Sequence, residues 1–250
     1  MNPLSPQDHR AALETAQRIR RGDALEQPEL DRLCEAWMPR LLPAGKETNE
    51  RFAVVSAHGS PTGVAGPRWM FHLFGLRHRA VEIAFLTPAG LVVLQRRSIH
   101  KSEWPDAIDM AVAGHVSESD AGSDAGFLAT AWREIEEEIG LPRSAAAGML
   151  VEGRLVPIGE PYFCFEGDSQ RNPPFLDAEV RQVYAATLTG DALASVRFAD
   201  GEVDGLILTT VDAAWRTLRA KRIASGLRYS LPRFLDWLER RAEGRPGNGC

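Results

Sequence analysis

The stretch that decides the fold is GFLATAWREIEEEIGLP, residues 126–142. Its apolar residues recur at steps of three and four, which is the spacing of one face of an α-helix. Gly140 and Pro142 follow the last apolar position, where a helix is expected to end. The spacing therefore predicts an amphipathic helix, and its buried stripe comprises Leu128, Ala131, Trp132, Ile135 and Ile139.

The same predicted helix carries crowded carboxylates. Glu134, Glu137 and Glu138 share one arc of the helical wheel, away from the apolar stripe. Glu134 and Glu138 are like charges at i and i+4, which repel by roughly 0.2–0.5 kcal/mol. Glu137 and Glu138 lie in the last turn, where the helix dipole disfavours each anion by roughly 0.3–1 kcal/mol. Arg133 can pair with Glu137, and the remaining charge indicates a hard divalent cation, Mg²⁺ or Mn²⁺. A solvated acidic face is the alternative.

The residues around this helix carry a family motif. REIEEEIGL, residues 133–141, matches REUxEExGU, the core of the Nudix box, at every fixed position. Upstream, Gly114 is followed by five residues and then Asp120, where the family has a glutamate. Twelve residues, 121–132, separate Asp120 from Arg133, where the family has seven, so we expect an insertion near residues 121–125. The chain resembles the Nudix hydrolase superfamily.

Stretches outside the box extend the resemblance. Residues 75–83 and 101–116 look like the subgroup of Nudix proteins related to isopentenyl-diphosphate isomerase. Residues 200–218 are similar to Nudix proteins associated with thiamine-diphosphate-like substrates. Strand-like segments mixed with helical ones predict an α/β sandwich. The resemblance implies a Nudix-type α/β/α sandwich with a mixed sheet over residues 76–250, preceded by a helical N-terminal extension over residues 1–75.

Two local patterns in the first hundred residues give further expectations. HGSPTGVAGP, residues 58–67, is rich in Gly and Pro and predicts a surface loop. AVEIAFL and LVVLQRR flank the turn residues 88–90, and this order predicts a β-hairpin.

The resemblance implies a reaction and the residues that perform it. Family members hydrolyse a nucleoside diphosphate linked to another moiety, or a related organic diphosphate. By motif match, the metal ligands are Glu134, Glu137 and Glu138, with the backbone carbonyl of Gly114 as a further ligand. Arg133 would orient Glu137. Bound divalent ions would neutralise the phosphates and activate a water molecule.

The general base has three candidates, because Nudix enzymes recruit it from the box or from a later loop. These are Glu138, Glu179 and Glu202, and Glu179 is preferred outside the box because its strand could run beside the metal helix. An exposed charge at a strand end is the alternative for Glu179. His115, next to Gly114, is expected to be a packed or exposed side chain rather than a ligand.

Substrate contacts are expected from two places. Arg96 and Arg97 end a strand, and one of them, Arg97 by preference, should point toward the substrate phosphates because neighbours alternate faces. A surface salt bridge is the alternative for Arg97. Trp104 could stack on a substrate ring or serve in the core or a lid.

Two other functions are left open. An isopentenyl-diphosphate isomerase would need an acid/base thiol in the strand before the box, and DMAVAGHV, residues 109–116, has no cysteine. A non-catalytic Nudix-fold module that senses a nucleotide usually lacks box glutamates, and all three are present here.

Composition narrows the range of partners. Lys and Arg number 29 against 34 Asp and Glu, a formal charge of −5, so we expect no nucleic-acid partner. The N-terminus lacks signal-peptide features and no apolar run is long enough to span a membrane. We expect a cytoplasmic protein with no membrane partner, three reduced cysteines, a small-molecule diphosphate substrate and a possible homodimer.

Overall fold

The computed structural model describes residues 1–21, 25–42, 50–101, 103–122, 125–198 and 201–243. Within these residues the chain forms eight α-helices, one short 3₁₀-helix (Arg143–Ala145) and ten strands. The helices are α1 (Pro6–Arg20), α2 (Gln27–Leu41), α3 (Arg68–Phe74), α4 (Ala125–Ile139), α5 (Ala146–Met149), α6 (Gly190–Ser195), α7 (Val211–Thr217) and α8 (Ser225–Ala242). The strands are β1 (Arg51–Val55), β2 (Pro61–Pro67), β3 (Arg77–Leu86), β4 (Val92–Arg97), β5 (Ile108–Met110), β6 (Val112–His115), β7 (Val156–Pro157), β8 (Tyr162–Asp168), β9 (Phe175–Thr187) and β10 (Val203–Thr209).

The strands form two sheets. One is the β1–β2 pair, and the other has eight strands with the order β10-β4-β3-β9-β7, to which β5, β6 and β8 add through β4, β3 and β9. The predicted β3–β4 hairpin is confirmed, with Phe85 opposite Val93 and Leu86 opposite Val92. A mixed α/β fold with helices at its N-terminal end was expected, and the structure confirms it.

The chain divides into two compact units. The first unit comprises Met1–Arg79, His115–Gly126 and Tyr162–Arg181, and the second comprises Ala80–Gly114, Phe127–Pro161 and Gln182–Cys250. The division expected from the sequence, residues 1–75 and 76–250, stays a prediction.

The core of the first unit is built largely from aromatic side chains. Trp37 packs edge-on against Phe74, with ring centroids 5.6 Å apart, and Phe52 packs in the same manner against Phe71 at 5.3 Å. Each of these four side chains is buried. Such edge-to-face pairs add about 0.5–1.5 kcal/mol to the burial of the rings themselves. The N-terminal helices are thus part of a packed core.

The loop expected over residues 58–67 is wrong for most of its length. Residues Pro61–Pro67 form β2, which pairs antiparallel with β1 and places Ala53 opposite Ala65. Gln27 at the start of α2 completes this edge, because its amide accepts a hydrogen bond from the backbone N–H of Ala65 and donates one to the carbonyl of Ala65. Tertiary pairing therefore overrides the low strand propensity of Gly and Pro, which are tolerated on an edge.

Helix α4 forms where the sequence predicts it. Ala131, Trp132, Ile135 and Ile139 are buried, and Leu128 is half-buried. The helix ends before Gly140, whose φ of +70° is the left-handed conformation that glycine adopts without steric cost.

The two ends of the segment in which we expect an insertion, Asp120 and Gly126, lie close together. A Cβ atom at Gly126 would lie 1.8 Å from the carbonyl oxygen of Asp120, so only glycine allows the two ends of this loop to come so close. Residues 123 and 124 lie outside the described residues.

Candidate active site

Helix α4 brings Glu134 and Glu138 onto one face at a spacing of i and i+4. Their exposed fractions are 9% and 2%, so both carboxylates are withdrawn from solvent. Glu137 is different: its side chain is 51% exposed and accepts a hydrogen bond from Arg133 at 2.9 Å. Arg133 also contacts Glu134, with 2.7 Å between Nη1 and Oε1. Of the three predicted metal ligands, the structure therefore buries two and leaves the third on the surface.

Gly114 is the backbone support for Glu134. A Cβ atom at position 114 would lie 2.1 Å from Cδ of Glu134 and 2.3 Å from its Oε1. No side chain fits there without displacing the carboxylate. The predicted proximity of Gly114 to the box glutamates is thus present in the fold, whereas its role as a carbonyl ligand stays a prediction.

Two neighbouring strands add further polar groups beside Glu138. Strands β4 and β5 pair antiparallel and place Gln95 directly opposite Asp109. The side-chain amide of Gln95 donates a hydrogen bond to Oε2 of Glu138 at 3.2 Å. Arg97, two residues further along β4 and therefore on the same face, donates to Oδ2 of Asp109 at 3.0 Å. We call Glu134, Glu138 and Asp109 the carboxylate cluster.

The carboxylate cluster is electrostatically unfavourable on its own. Burial raises the pKa of Glu138 well above its usual value, and the nearby charges of Glu134, Asp109 and Glu202 raise it further, while Arg97 opposes them. Three buried carboxylates with hard oxygen donors and one half-buried arginine leave negative charge to be compensated. Such a donor set fits Mg²⁺ or Mn²⁺.

The predicted substrate-binding residues, Arg96, Arg97 and Trp104, lie in two environments. Arg97 is largely withdrawn from solvent, with its side chain 12% exposed, and besides Asp109 it donates to the carbonyl of Glu103 at 3.1 Å. Arg96 points the other way, is 58% exposed and pairs with Asp106 at 2.6 Å. Trp104 lies in the loop after β4, is 38% exposed and has a positive φ of 51°. Arg97 therefore joins the carboxylate cluster to the loop that carries Trp104, and Arg96 does not.

The first unit holds a second polar cluster, which the sequence did not predict. His72 of α3, His78 of β3, His115 of β6 and Asp177 of β9 each offer a ligand atom, and these atoms lie within 4.8 Å of one another. We call these four residues the histidine cluster. Imidazole and carboxylate groups at this separation could hold a transition-metal ion such as Zn²⁺.

The histidine cluster is packed between aromatic rings. Phe52 stacks on His78 at 5.0 Å and on His115 at 4.9 Å, and Phe175 stacks on His72 at 5.0 Å. Burial lowers the pKa of His78 and lowers that of His115 well below its usual value, although neighbouring carboxylates oppose the shift. These two imidazoles are therefore favoured in the neutral form that binds metals.

Glu179, a predicted general base, lies beside the histidine cluster. Its Oε2 pairs with Arg181, and its Oε1 lies 3.1 Å from Nε2 of His115. Burial by itself would raise the pKa of Glu179, but the charge of Arg181 and the hydrogen bond with His115 outweigh burial, so the pKa lies well below its usual value. The carboxylate is buried, which rules out the exposed strand-end charge.

A signal for the histidine cluster exists in the sequence. His72 and His78 lie six residues apart, and Asp177 and Glu179 alternate along β9, so that they share one face of the strand. No single segment contains all of these residues. Asp109 and Gln95 were missed for a similar reason, because their juxtaposition depends on the β4–β5 register.

Comparison with known proteins identifies the family of this chain. The NUDIX domain model matches residues 76–234, which is more than half of the sequence. The chain belongs to the Nudix family. Among the described residues, no helix is long and apolar enough to cross a membrane.

Two curated relatives are similar to parts of the chain. Nudix hydrolase 3 of Arabidopsis thaliana is 35% identical over 142 residues, which cover 56% of this chain and 16% of the relative. A Nudix hydrolase of Streptomyces coelicolor is 42% identical over 72 residues, which cover 28% of this chain and 37% of the relative. The matches thus span well under two thirds of either relative.

A solved structure supports the fold. The crystal structure of DR0079 from Deinococcus radiodurans superposes with a TM-score of 0.51 at 20% identity, covering 74% of this chain and 98% of that chain. At this identity the likeness concerns the fold alone.

Proposed function

We propose that this protein is a divalent-cation-dependent pyrophosphohydrolase. Its substrate would be a nucleoside diphosphate linked to another moiety or a related organic diphosphate, including thiamine-diphosphate-like compounds. The observation that carries the proposal is the carboxylate cluster, in which α4, β4 and β5 converge on buried oxygen donors. A solvated acidic face would leave Glu134 and Glu138 exposed, and both are buried. Membership of the Nudix family supports the same reaction.

Glu134, Glu138 and Asp109 are the residues that would hold Mg²⁺ or Mn²⁺, together with the carbonyl of Gly114 that the motif implies. When bound, the ion neutralises phosphate charge and lowers the pKa of a water molecule. Glu137 would take part from the surface side of α4, where Arg133 orients its carboxylate. Close packing of Glu134 on Gly114 fixes one carboxylate before any substrate arrives, which avoids reorganisation during the reaction.

Arg97 has two roles in this proposal. Its hydrogen bonds to Asp109 and to the Glu103 carbonyl hold the carboxylate cluster and the Trp104 loop in one arrangement. Its Nε–H is buried and donates no hydrogen bond to a described residue. The guanidinium can therefore still donate to a substrate phosphate, for which its geometry is suited. Trp104 would contribute through its partly exposed ring, whereas Arg96, which is exposed and pairs with Asp106, would make at most a minor contribution.

Among the three candidate bases we favour Glu138. Both oxygens of Glu179 are engaged, by Arg181 and His115, and the carboxylate of Glu202 pairs with Lys101. Among the described residues, Gln95 is the one donor of a hydrogen bond to Glu138, so lone pairs remain to accept a proton from water.

The proposal is tested with the full chain and a panel of dinucleoside polyphosphates, nucleotide sugars and thiamine diphosphate. Each substrate is incubated with Mg²⁺, with Mn²⁺ and with a chelator, in water enriched in heavy oxygen. We expect cleavage of a phosphoanhydride bond, incorporation of solvent oxygen into a phosphoryl product, and loss of activity with the chelator. Activity that persists with the chelator would refute the role of the metal.

The same assay separates the two alternatives. Isopentenyl diphosphate is added as a further substrate, and conversion to its isomer without release of phosphate would support an isomerase instead. Tight binding of a nucleotide with no turnover of any panel member would support a sensing module. The intact carboxylate cluster favours hydrolysis over both.

A further inference from the structure

A cavity in the first unit lies outside the residues assigned to catalysis. Its volume is about 410 Å³, which is within the size range of sites for small organic molecules. Residues of α1, β1, β3, β8 and β9 line it, so the N-terminal helix supplies part of the wall. Apolar side chains form much of that wall, among them Ile19, Val54, Val55 and Leu76.

Two arginines line this cavity, and each lies over an aromatic ring. Cζ of Arg20 is 4.2 Å from the ring centroid of Phe165, and Cζ of Arg77 is 5.0 Å from that of Phe163. These contacts hold each guanidinium beside an aromatic side chain of the wall, and such cation–π contacts leave the N–H groups able to donate to an anion.

Neither arginine is neutralised within the described part of the chain. Arg20 and Arg77 form no ion pair with a described Asp or Glu, and Nε of Arg77 is buried without a hydrogen-bond acceptor. Arg20 is exposed and Arg77 is half-buried. Burial of a charged donor without a partner is costly, so the buried Nε of Arg77 indicates that an anion belongs in this cavity, where Arg20 supplies a second cation. Phosphate and carboxylate groups are the anions whose geometry matches a guanidinium.

A hydroxyl group adds a further donor. Oγ of Ser56 accepts hydrogen bonds from the backbone N–H groups of His58 and Ser60, at 3.3 and 3.2 Å, which leaves its own proton to donate. The cavity thus combines two cations and one hydroxyl donor with aliphatic and aromatic walls. This combination favours a ligand with one anionic group and an apolar body.

We propose that this cavity is a binding site for a small organic anion, separate from the hydrolytic site. The carboxylate or phosphate group is held by Arg20 and Arg77, and an aromatic or aliphatic body packs against Val54, Leu76 and the ring of Phe165. Because α1 forms part of the wall, this N-terminal helix takes part in ligand recognition.

The test uses 8-anilinonaphthalene-1-sulfonate, a fluorescent probe that has an aromatic body and one anionic group. It is titrated into the full chain and into Arg20→Gln and Arg77→Gln. We expect saturable binding to the natural chain and about tenfold weaker binding to each variant, the loss typical of one charge-assisted hydrogen bond. Arg10→Gln, on the same helix and outside the cavity, is the matched control and should bind as tightly as the natural chain.

A neutral probe separates anion recognition from apolar binding. N-phenyl-1-naphthylamine has nearly the same body without the sulfonate, and we expect its affinity to be equal in the natural chain and both arginine variants. Equal affinity of the anionic probe for all chains would overturn the proposal. Competition with phenyl phosphate and with benzoate then shows which anion is preferred, and failure of both to displace the probe would also overturn it. Far-ultraviolet circular dichroism confirms that each variant is folded.

Discussion

The carboxylate cluster and the histidine cluster differ in the charge of their donor groups. In the second unit, Glu134, Glu138 and Asp109 crowd negative charge into a buried space that Arg97 compensates only in part. In the first unit, burial favours the neutral form of His78 and His115. Hard oxygen donors with excess charge suit Mg²⁺ or Mn²⁺, whereas mostly neutral nitrogen donors suit Zn²⁺. Burial alone therefore does not define a catalytic centre, because the charge and softness of the donors decide which ion each cluster can accept.

The largest effect is expected from Glu138→Gln, which removes one charge from the carboxylate cluster and keeps its shape. Turnover should fall by at least about two orders of magnitude, with an unchanged or slightly higher melting temperature because like charges no longer crowd. Steady-state kinetics and calorimetry measure both. Glu136→Gln removes the same charge from an exposed position on α4 and should change neither quantity. Unchanged turnover in Glu138→Gln would mean that the carboxylate cluster is not catalytic.

The difference in metal preference is tested by removing a nitrogen donor. We expect His78→Gln to weaken Zn²⁺ binding by at least about tenfold while activation by Mg²⁺ or Mn²⁺ is retained. Glu138→Gln should show the reverse pattern. Isothermal titration calorimetry with the metal-free chain measures both affinities. If His78→Gln binds Zn²⁺ as tightly as the natural chain does, the histidine cluster is not a zinc site.

Gly114→Ala tests whether the carboxylate cluster depends on close backbone packing. The added Cβ would displace Glu134, so we expect a loss of roughly 1–3 kcal/mol in the free energy of unfolding, as overpacking commonly causes, together with reduced turnover. Gly122→Ala is the control, because a Cβ there meets no atom within 4 Å and should change stability by less than about 0.5 kcal/mol. Denaturant unfolding measures both variants. Equal behaviour of the two would contradict the packing argument.

The smallest expected effect on turnover distinguishes Arg97 from its neighbour Arg96. Arg97→Gln breaks a buried pair with Asp109, and we expect turnover to fall by about tenfold, as for the loss of one hydrogen bond to a charged group. Arg96→Gln breaks an exposed pair worth at most about 1 kcal/mol and should leave turnover within about twofold of the natural chain. Asp106 also pairs with Arg222, which limits the loss further. A larger effect of Arg96→Gln would reverse the assignment.

Local periodicity in the sequence predicted α4, which carries Glu134 and Glu138. The stripe through Ala131, Ile135 and Ile139 is a property of one segment, and so is the end of α4 at Gly140. The direction of Glu137 was not predictable in the same way. A helical wheel assigns an arc to each residue, but neighbouring strands decide which part of that arc is buried.

Long-range pairing accounts for what the sequence did not indicate. Asp109 meets Glu138 because β5 pairs with β4 in one register, and that register is not encoded in either strand alone. The strand at residues 61–67 forms in spite of its Gly and Pro content, because Gln27 and β1 form hydrogen bonds with its backbone. The histidine cluster likewise gathers residues from four different elements, α3, β3, β6 and β9.

The close approach of Asp120 and Gly126 has a practical consequence. Because Asp120 and Gly126 approach each other closely, a change in the number of residues between these two positions is not expected to alter the start of α4. The twelve-residue spacing is therefore compatible with the observed position of α4. It also makes this loop a favourable place to graft an affinity tag or a fluorescent peptide for assays that leave both ends of the chain unmodified.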